Sequence, residues 1–168
     1  MPSQPVVSNT SPLINLVGVG QLDLLRQLYT EVWVPDLVIN EYRAKLAVGD
    51  PDLGAVSWLA IKPVSPDPVL QAYRALGDGE AAAITLAQSH QARLLLLDDK
   101  YARQIARRLG LTVVGTLGVL LAAKQSGYLA AIKPLLDMMI AQGRRMSPSL
   151  QMDLLRLAGE TEEQDAAG

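Results

Sequence analysis

Four consecutive leucines at positions 94–97 run directly into two aspartates, Asp98 and Asp99, and this junction constrains the fold more than any other stretch of the chain. An unbroken apolar run of this length suits a strand covered on both faces, the kind found at the buried centre of a parallel sheet. Parallel neighbours cannot be joined by tight hairpins, so they need crossover helices. The flanking sequence supplies them. Gly77-Asp78-Gly79-Glu80 opens an alanine-rich helix that runs to residue 89, and a second helix is expected over 101–109.

The same alternation extends in both directions. Residues 5–8 read as extended, and Asn9-Thr10-Ser11-Pro12 as a turn that caps a helix through Leu13 to Leu16, with a further helix over 21–28 after the Gly18 and Gly20 break. Val32-Trp33-Val34 reads as a strand stopped at Pro35, and Asp36 as the cap of a helix reaching about residue 47, with Glu41 in its second turn. Residues 49–54 form a loop, 58–64 read as extended, 111–114 as a strand and 117–125 as a helix. Residues 129–156 read as two helices parted by 143–147. Strand and helix in this order predict a three-layer α/β/α sandwich with a mostly parallel central sheet.

A length of 168 residues suits one domain, expected over 1–156, and the small, polar, acidic stretch 157–168 reads as a tail outside it. Trp33 and Trp58 sit in apolar surroundings and read as core; Leu135, Leu136, Met138, Met139 and Ile140 on the late helices read as core by default, with a dimer interface as the alternative.

Composition narrows the chemistry. The absence of cysteine excludes disulfides, thiolate metal sites and a thiol nucleophile, and one histidine, His90, cannot build a multi-histidine centre. His90 is placed at the far end of the helix headed by Glu80, roughly 15 Å away, so a Ser-His-Asp triad is not expected. Residues 1–20 carry no basic segment followed by a long apolar run, which predicts a cytoplasmic protein without a membrane segment. Charge is uneven: 6 basic residues face 11 acidic ones over 1–99, 9 face 2 over 100–156, and the final stretch carries 4 acids and no base. Such asymmetry suits an anionic polymer on one side of the protein, and equally a solvated arginine-rich face.

Ligands of open parallel sheets gather beyond the carboxyl ends of the strands. The polar residues expected there are Asn9, Glu41, Glu80, Asp98 and Asp99, with Thr116 after the last strand. Each also has an ordinary structural role open to it: Asn9, Ser11 and Thr116 as helix caps, Glu41 on a solvated face, Glu80 at a helix dipole. Carboxylates that converge repel one another unless a cation neutralises them, and Mg²⁺ or Mn²⁺ prefers such oxygen ligands. Lys100, Arg103 and Arg107 recur at helical spacing after the aspartate pair and form a basic face able to hold a nucleic-acid backbone.

Taken in order, Val6-Val7-Ser8-Asn9-Thr10-Ser11-Pro12-Leu13, the segment 35–41, Gly77-Asp78-Gly79-Glu80-Ala81, Leu95-Leu96-Leu97-Asp98-Asp99 and Gly115-Thr116-Leu117-Gly118 resemble a PIN domain over residues 5–125. The chain is most similar to prokaryotic PIN-like proteins with an Asn-Thr-Ser-Pro-Leu opening, relatives of the VapC-type toxins. The resemblance implies a PIN-like fold and a metal-dependent endoribonuclease that uses Mg²⁺ or Mn²⁺ to activate water against RNA. It also implies a homodimer and a cognate antitoxin partner. Glu41, Glu80 and Asp98 or Asp99 match the family's acidic positions and Thr116 its hydroxyl position, which makes Asn9, Glu80, Asp98 and Asp99 the implied metal set. Asn9 departs from the family's usual aspartate, offering a neutral carbonyl in place of a full charge. A degenerate PIN module that binds RNA or a protein without cutting is the alternative. A receiver-like phosphoacceptor is disfavoured because the acidic pair comes late in the chain.

Overall fold

Among residues 4–161, which the computed structural model describes, five strands form one sheet, and every pairing in it is parallel. They are β1 (Val6–Ser8), β2 (Val32–Pro35), β3 (Leu59–Lys62), β4 (Leu94–Leu96) and β5 (Val113–Val114), in the order β3-β2-β1-β4-β5. The leucine strand pairs with β1 in the register Val6 with Leu94, Val7 with Leu95 and Ser8 with Leu96, which puts β1 and β4 at the buried centre.

The helices follow from the strand order. Steps from β1 to β2 to β3 run one way across the sheet, and steps from β3 to β4 to β5 run the other. Right-handed crossovers therefore place α1 (Thr10–Gly18), α2 (Leu24–Tyr29) and α3 (Asp36–Ala44) on one face, and α4 (Pro68–Gln71), α5 (Asp78–Ser89) and α6 (Lys100–Arg108) on the other. This is the expected three-layer α/β/α arrangement. Side chains alternate accordingly: Val7, Leu95 and Leu97 pack with Ala83, Ile84, Ala87, Ala102 and Ile105 of α5 and α6, while Val6, Val34 and Leu96 are buried on the opposite face. The alanines of α5 leave little bulk between helix and strands.

The described residues cluster into two compact units, divided between Thr116 and Leu117, and every strand lies in the first. The last three described helices are α7 (Thr116–Gln125), α8 (Lys133–Ala141) and α9 (Pro148–Leu157). On α8, Leu135, Leu136 and Met139 are buried, but Met138 and Ile140 are 42% and 37% exposed, because only one stripe of a helix can face inward. The acidic tail begins later than position 157. Leu157 completes α9, Ala158 is buried, and the Glu160 carboxylate accepts from the backbone N–H of Ile132 (2.8 Å) and Lys133 (3.1 Å), with Lys124 Nζ 3.5 Å away. The rest of that stretch, 162–168, lies outside the described residues.

Local differences have physical reasons. α3 ends at Ala44 rather than near 47, and a 3₁₀ turn at Leu53–Ala55 interrupts the loop. Pro35, not Asp36, is the N-cap of α3; Asp36 Oδ1 instead takes the N–H of Leu37 (2.9 Å) and Val64 (3.2 Å). Trp33 and Trp58 are half-buried rather than core. Trp33 keeps a polar edge, with Nε1 donating to Glu31 and the Lys62 ammonium 4.3 Å from its ring centre. His90 caps the end of α5 and meets that ring edge-on at 5.0 Å. No helix among the described residues is long and apolar enough to cross a membrane.

Candidate active site

Crossovers diverge at the centre of the sheet, so a crevice opens between the carboxyl ends of β1 and β4. Asn9 leaves β1 at this point and its backbone N–H donates to Leu96 O at 3.0 Å, which fixes it against the end of the leucine strand. Its side chain does not cap α1. Asn9 is 3% exposed, and Oδ1 is enclosed with no hydrogen-bond partner among the described residues. A buried acceptor left unsatisfied costs about 1–3 kcal/mol, so an orphan here is a position built to receive something.

Asn9 lines a cavity of 380 Å³ together with Thr10, Ser11, Glu41, Lys45 and Glu80. A larger cavity of 530 Å³ lies at the amino ends of β4 and β5, beside Gln4, Arg93 and Thr112, and holds no carboxylate. Oxygen chemistry therefore favours the smaller one.

Glu41 is held from two sides. Thr10 Oγ1 donates to its Oε2 at 2.7 Å, and the N–H of Gly79 donates to Oε1 at 3.0 Å. The second bond requires glycine: a Cβ at position 79 would fall 2.6 Å from Glu41 Oε1 and Cδ. One carboxylate thus ties α1, α3 and the head of α5 together. Glu80, in the first turn of α5, accepts from the Gly77 N–H at 2.9 Å through Oε2. Burial raises its pKa above the ordinary carboxylate value, and the charges of Asp99 and Glu41 push the same way, while the Gly77 N–H and the Lys45 ammonium pull it back.

The aspartate pair separates. Asp98 does not line the cavity with Asn9 and Glu80. Its carboxylate accepts from the Thr116 N–H (2.6 Å), Thr116 Oγ1 (2.6 Å) and Asn15 Nδ2 (2.7 Å). Thr116, fully buried, is correspondingly a partner of Asp98 and not a hydroxyl open to water or phosphate. Asp99 is exposed and caps α6 through Oδ1, which takes the Ala102 N–H at 2.8 Å, and its charge is the one felt by Glu80. Successive residues at a strand end face opposite ways, which is why adjacent acids have different surroundings.

The basic face is also divided. Lys100 and Arg107 are exposed, but Arg103 is half-buried, with Nε enclosed and without an acceptor among the described residues. Its Nη1 and Asp98 Oδ1 both crowd Gly115, at 2.9 and 2.8 Å from where a Cβ would stand. Arg103 belongs to the Asp98 cluster and does not join Lys100 and Arg107 on an open surface. Thr10, Asn15 and Lys45 are additional polar participants. Asn15 had one legible signal, an amide set among Leu13, Ile14 and Leu16; Lys45 had another, four residues beyond Glu41.

No three Asp, Glu or His side chains among the described residues are grouped to hold a metal ion by themselves. A cation such as Mg²⁺ needs no such cage, since it commonly keeps several waters and binds through one or two carboxylates plus substrate phosphate. The orphaned Asn9 Oδ1 beside Glu80 fits that donor set. Asp98 does not join it.

A family model described as a PIN domain matches residues 5–160. Neither a curated protein nor a solved structure matches the chain.

Proposed function

The chain belongs to the PIN-domain family, a fold of the nuclease type, and from that premise we propose that it is a Mg²⁺- or Mn²⁺-dependent endoribonuclease. The observation that carries this reading is the unsatisfied Asn9 Oδ1, which lines the same cavity as Glu41 and Glu80 beyond the carboxyl end of β1. Asn9 Oδ1 and Glu80 would hold the cation, with Asp99 the next acid whose charge reaches Glu80. When bound, the cation supplies charge neutralisation at the scissile phosphate and lowers the pKa of water. Glu41 acts by position, because both its oxygens already anchor the surrounding backbone and Thr10. The Gly77 N–H orients Glu80 by engaging one oxygen. Lys100 and Arg107 are exposed on α6, the helix that Asp99 caps, and in this reading would hold the RNA backbone outside the cavity. In the same reading the protein is a toxin of a toxin–antitoxin pair, a cytoplasmic homodimer with an antitoxin protein as partner; the likeness of its opening and Gly-Thr-Leu-Gly segments to VapC relatives supports this.

The test is cleavage of a fluorophore–quencher RNA by purified protein in Mn²⁺. Activity should vanish in EDTA and fall by about 100-fold or more in Glu80→Gln, the scale of losing a metal-site partner. Unaltered cleavage by Glu80→Gln refutes the site.

The neutral Asn9 and the lack of a three-acid group among the described residues favour a second reading, a module that binds RNA or a protein without cutting. It predicts no cleavage by the wild-type chain and a gain of activity in Asn9→Asp.

A further inference from the structure

One wall of the cavity carries positive charge that the acid chemistry leaves unused. Lys45 stands four residues after Glu41, just past the end of α3, and that spacing returns a side chain to the same helical face. Both residues line the cavity. The Lys45 ammonium has no hydrogen-bond or ion-pair partner among the described residues, whereas nearby Arg43 lies 3.7 Å from Asp52. Its charge nevertheless reaches Glu80 across the cavity.

Ser11 adds a second donor. It lies in the first turn of α1, a helix of nine residues whose N-terminal end opens on the same cavity, and its hydroxyl makes no hydrogen bond with a described residue. The lining of the cavity thus combines two chemistries: Asn9, Glu41 and Glu80 present oxygen, while Lys45, Ser11 and the positive end of the α1 dipole present donors.

A phosphodiester is an anion, and the acids that would hold a cation also repel it. Lys100 and Arg107 cannot offset this inside the cavity, because they do not line it. We propose that Lys45, together with Ser11 of the same lining, takes a non-bridging phosphate oxygen of the RNA strand within this cavity and is its substrate-binding cation. The identity of the polymer rests on the ribonuclease reading; the phosphate-binding role rests on the donor wall.

Binding in EDTA separates the two. Fluorescence anisotropy of a labelled single-stranded RNA, titrated across KCl concentrations with no divalent cation present, reports phosphate contacts without turnover. Each such contact contributes about 0.7 to the slope of log K against log salt for a single strand. Lys45→Gln should lower the slope by that amount and weaken binding about eightfold at 50 mM salt, the value that this slope gives when referred to 1 M. Lys45→Arg should keep the wild-type slope. Lys45 is exposed, so the unfolding midpoints of the variants should match wild type. A Lys45→Gln slope equal to wild type, or a Lys45→Arg slope as low as that of Lys45→Gln, overturns the assignment. Mn²⁺-dependent cleavage by the wild-type protein, measured separately, decides the ribonuclease reading, so failure of either is recognisable without the other.

Discussion

A single methyl group placed on Gly79 tests how the site is held. A Cβ there would meet Glu41 Oε1 and Cδ at 2.6 Å, well inside contact distance, so the carboxylate must move. Moving it breaks the 3.0 Å bond from the Gly79 N–H and strains the 2.7 Å bond from Thr10 Oγ1. A bond to a charged group contributes about 1.5–3 kcal/mol. Alanine in place of glycine in a helix returns at most about 1 kcal/mol. Gly79→Ala should therefore destabilise the first unit by about 0.5–3 kcal/mol if the Thr10 bond survives, and by a further ~1.5–3 kcal/mol if it does not. Both tryptophans, Trp33 and Trp58, lie in that unit, so urea unfolding followed by tryptophan fluorescence reports it selectively. The decisive comparison is a double-mutant cycle. With Glu41→Ala already present, the new methyl meets no carboxylate, and Gly79→Ala should be neutral or stabilising. A coupling energy below about 0.5 kcal/mol, the level at which independent sites add, refutes the account of Glu41 as the group that pins α1, α3 and α5 together.

Two further outcomes follow from the same geometry. Asp98→Asn sets an amide N–H₂ against the donors Thr116 and Asn15 and should cost about 1–3 kcal/mol, whereas Asp99→Asn keeps a good N-cap for α6 and should hold stability within about 0.5 kcal/mol while reducing cleavage; urea midpoints and RNA cleavage for the pair check this, and the opposite pattern contradicts the division of the two acids. Burial alone would raise the Glu160 pKa, but the N–H groups of Ile132 and Lys133 and the Lys124 ammonium together hold it below its ordinary value. Its stabilising effect is then full above the unfolded carboxylate pKa of about 4.3 and is lost as pH falls through the lower folded value. Glu160→Gln should be destabilising at pH 7, and its difference from wild type should shrink in strong acid, as read by circular dichroism during urea unfolding.

The fold was legible because its signals are periodic. The leucines before Asp98 announced a strand covered on both faces and the alanines after Glu80 a helix, and neither depends on any contact distant in sequence. The site was legible at the level of address: Asn9, Glu41 and Glu80 do converge beyond the strand ends. What could not be read was orientation. Whether Asp98 or Asp99 looks toward Glu80 depends on the pleat at the end of β4 and on Thr116 and Asn15, which come from two other parts of the chain. Helical spacing grouped Arg103 with Lys100 and Arg107, but spacing cannot register that Gly115 leaves room for its guanidinium beside Asp98. Glu160 was assigned to the acidic tail for a similar reason: its carboxylate is held by two backbone N–H groups at the start of α8, partners invisible to composition.

Asn9 joins the fold to the chemistry. Glu80 already feels the charges of Glu41 and Asp99, and position 9 is 3% exposed, so an aspartate there would add another carboxylate at a buried point of the cavity lining. An uncompensated buried charge costs several kcal/mol, whereas an unsatisfied amide oxygen costs about 1–3 kcal/mol. The asparagine therefore burdens the fold less than an aspartate would, at the expense of charge that would attract a cation. With less negative charge to grip a metal, binding leans more on the other ligands that such an ion recruits, above all substrate phosphate. That dependence gives the donor wall of Lys45 and Ser11 its importance: in a site short of one carboxylate, whatever brings the phosphate in also helps to hold the ion.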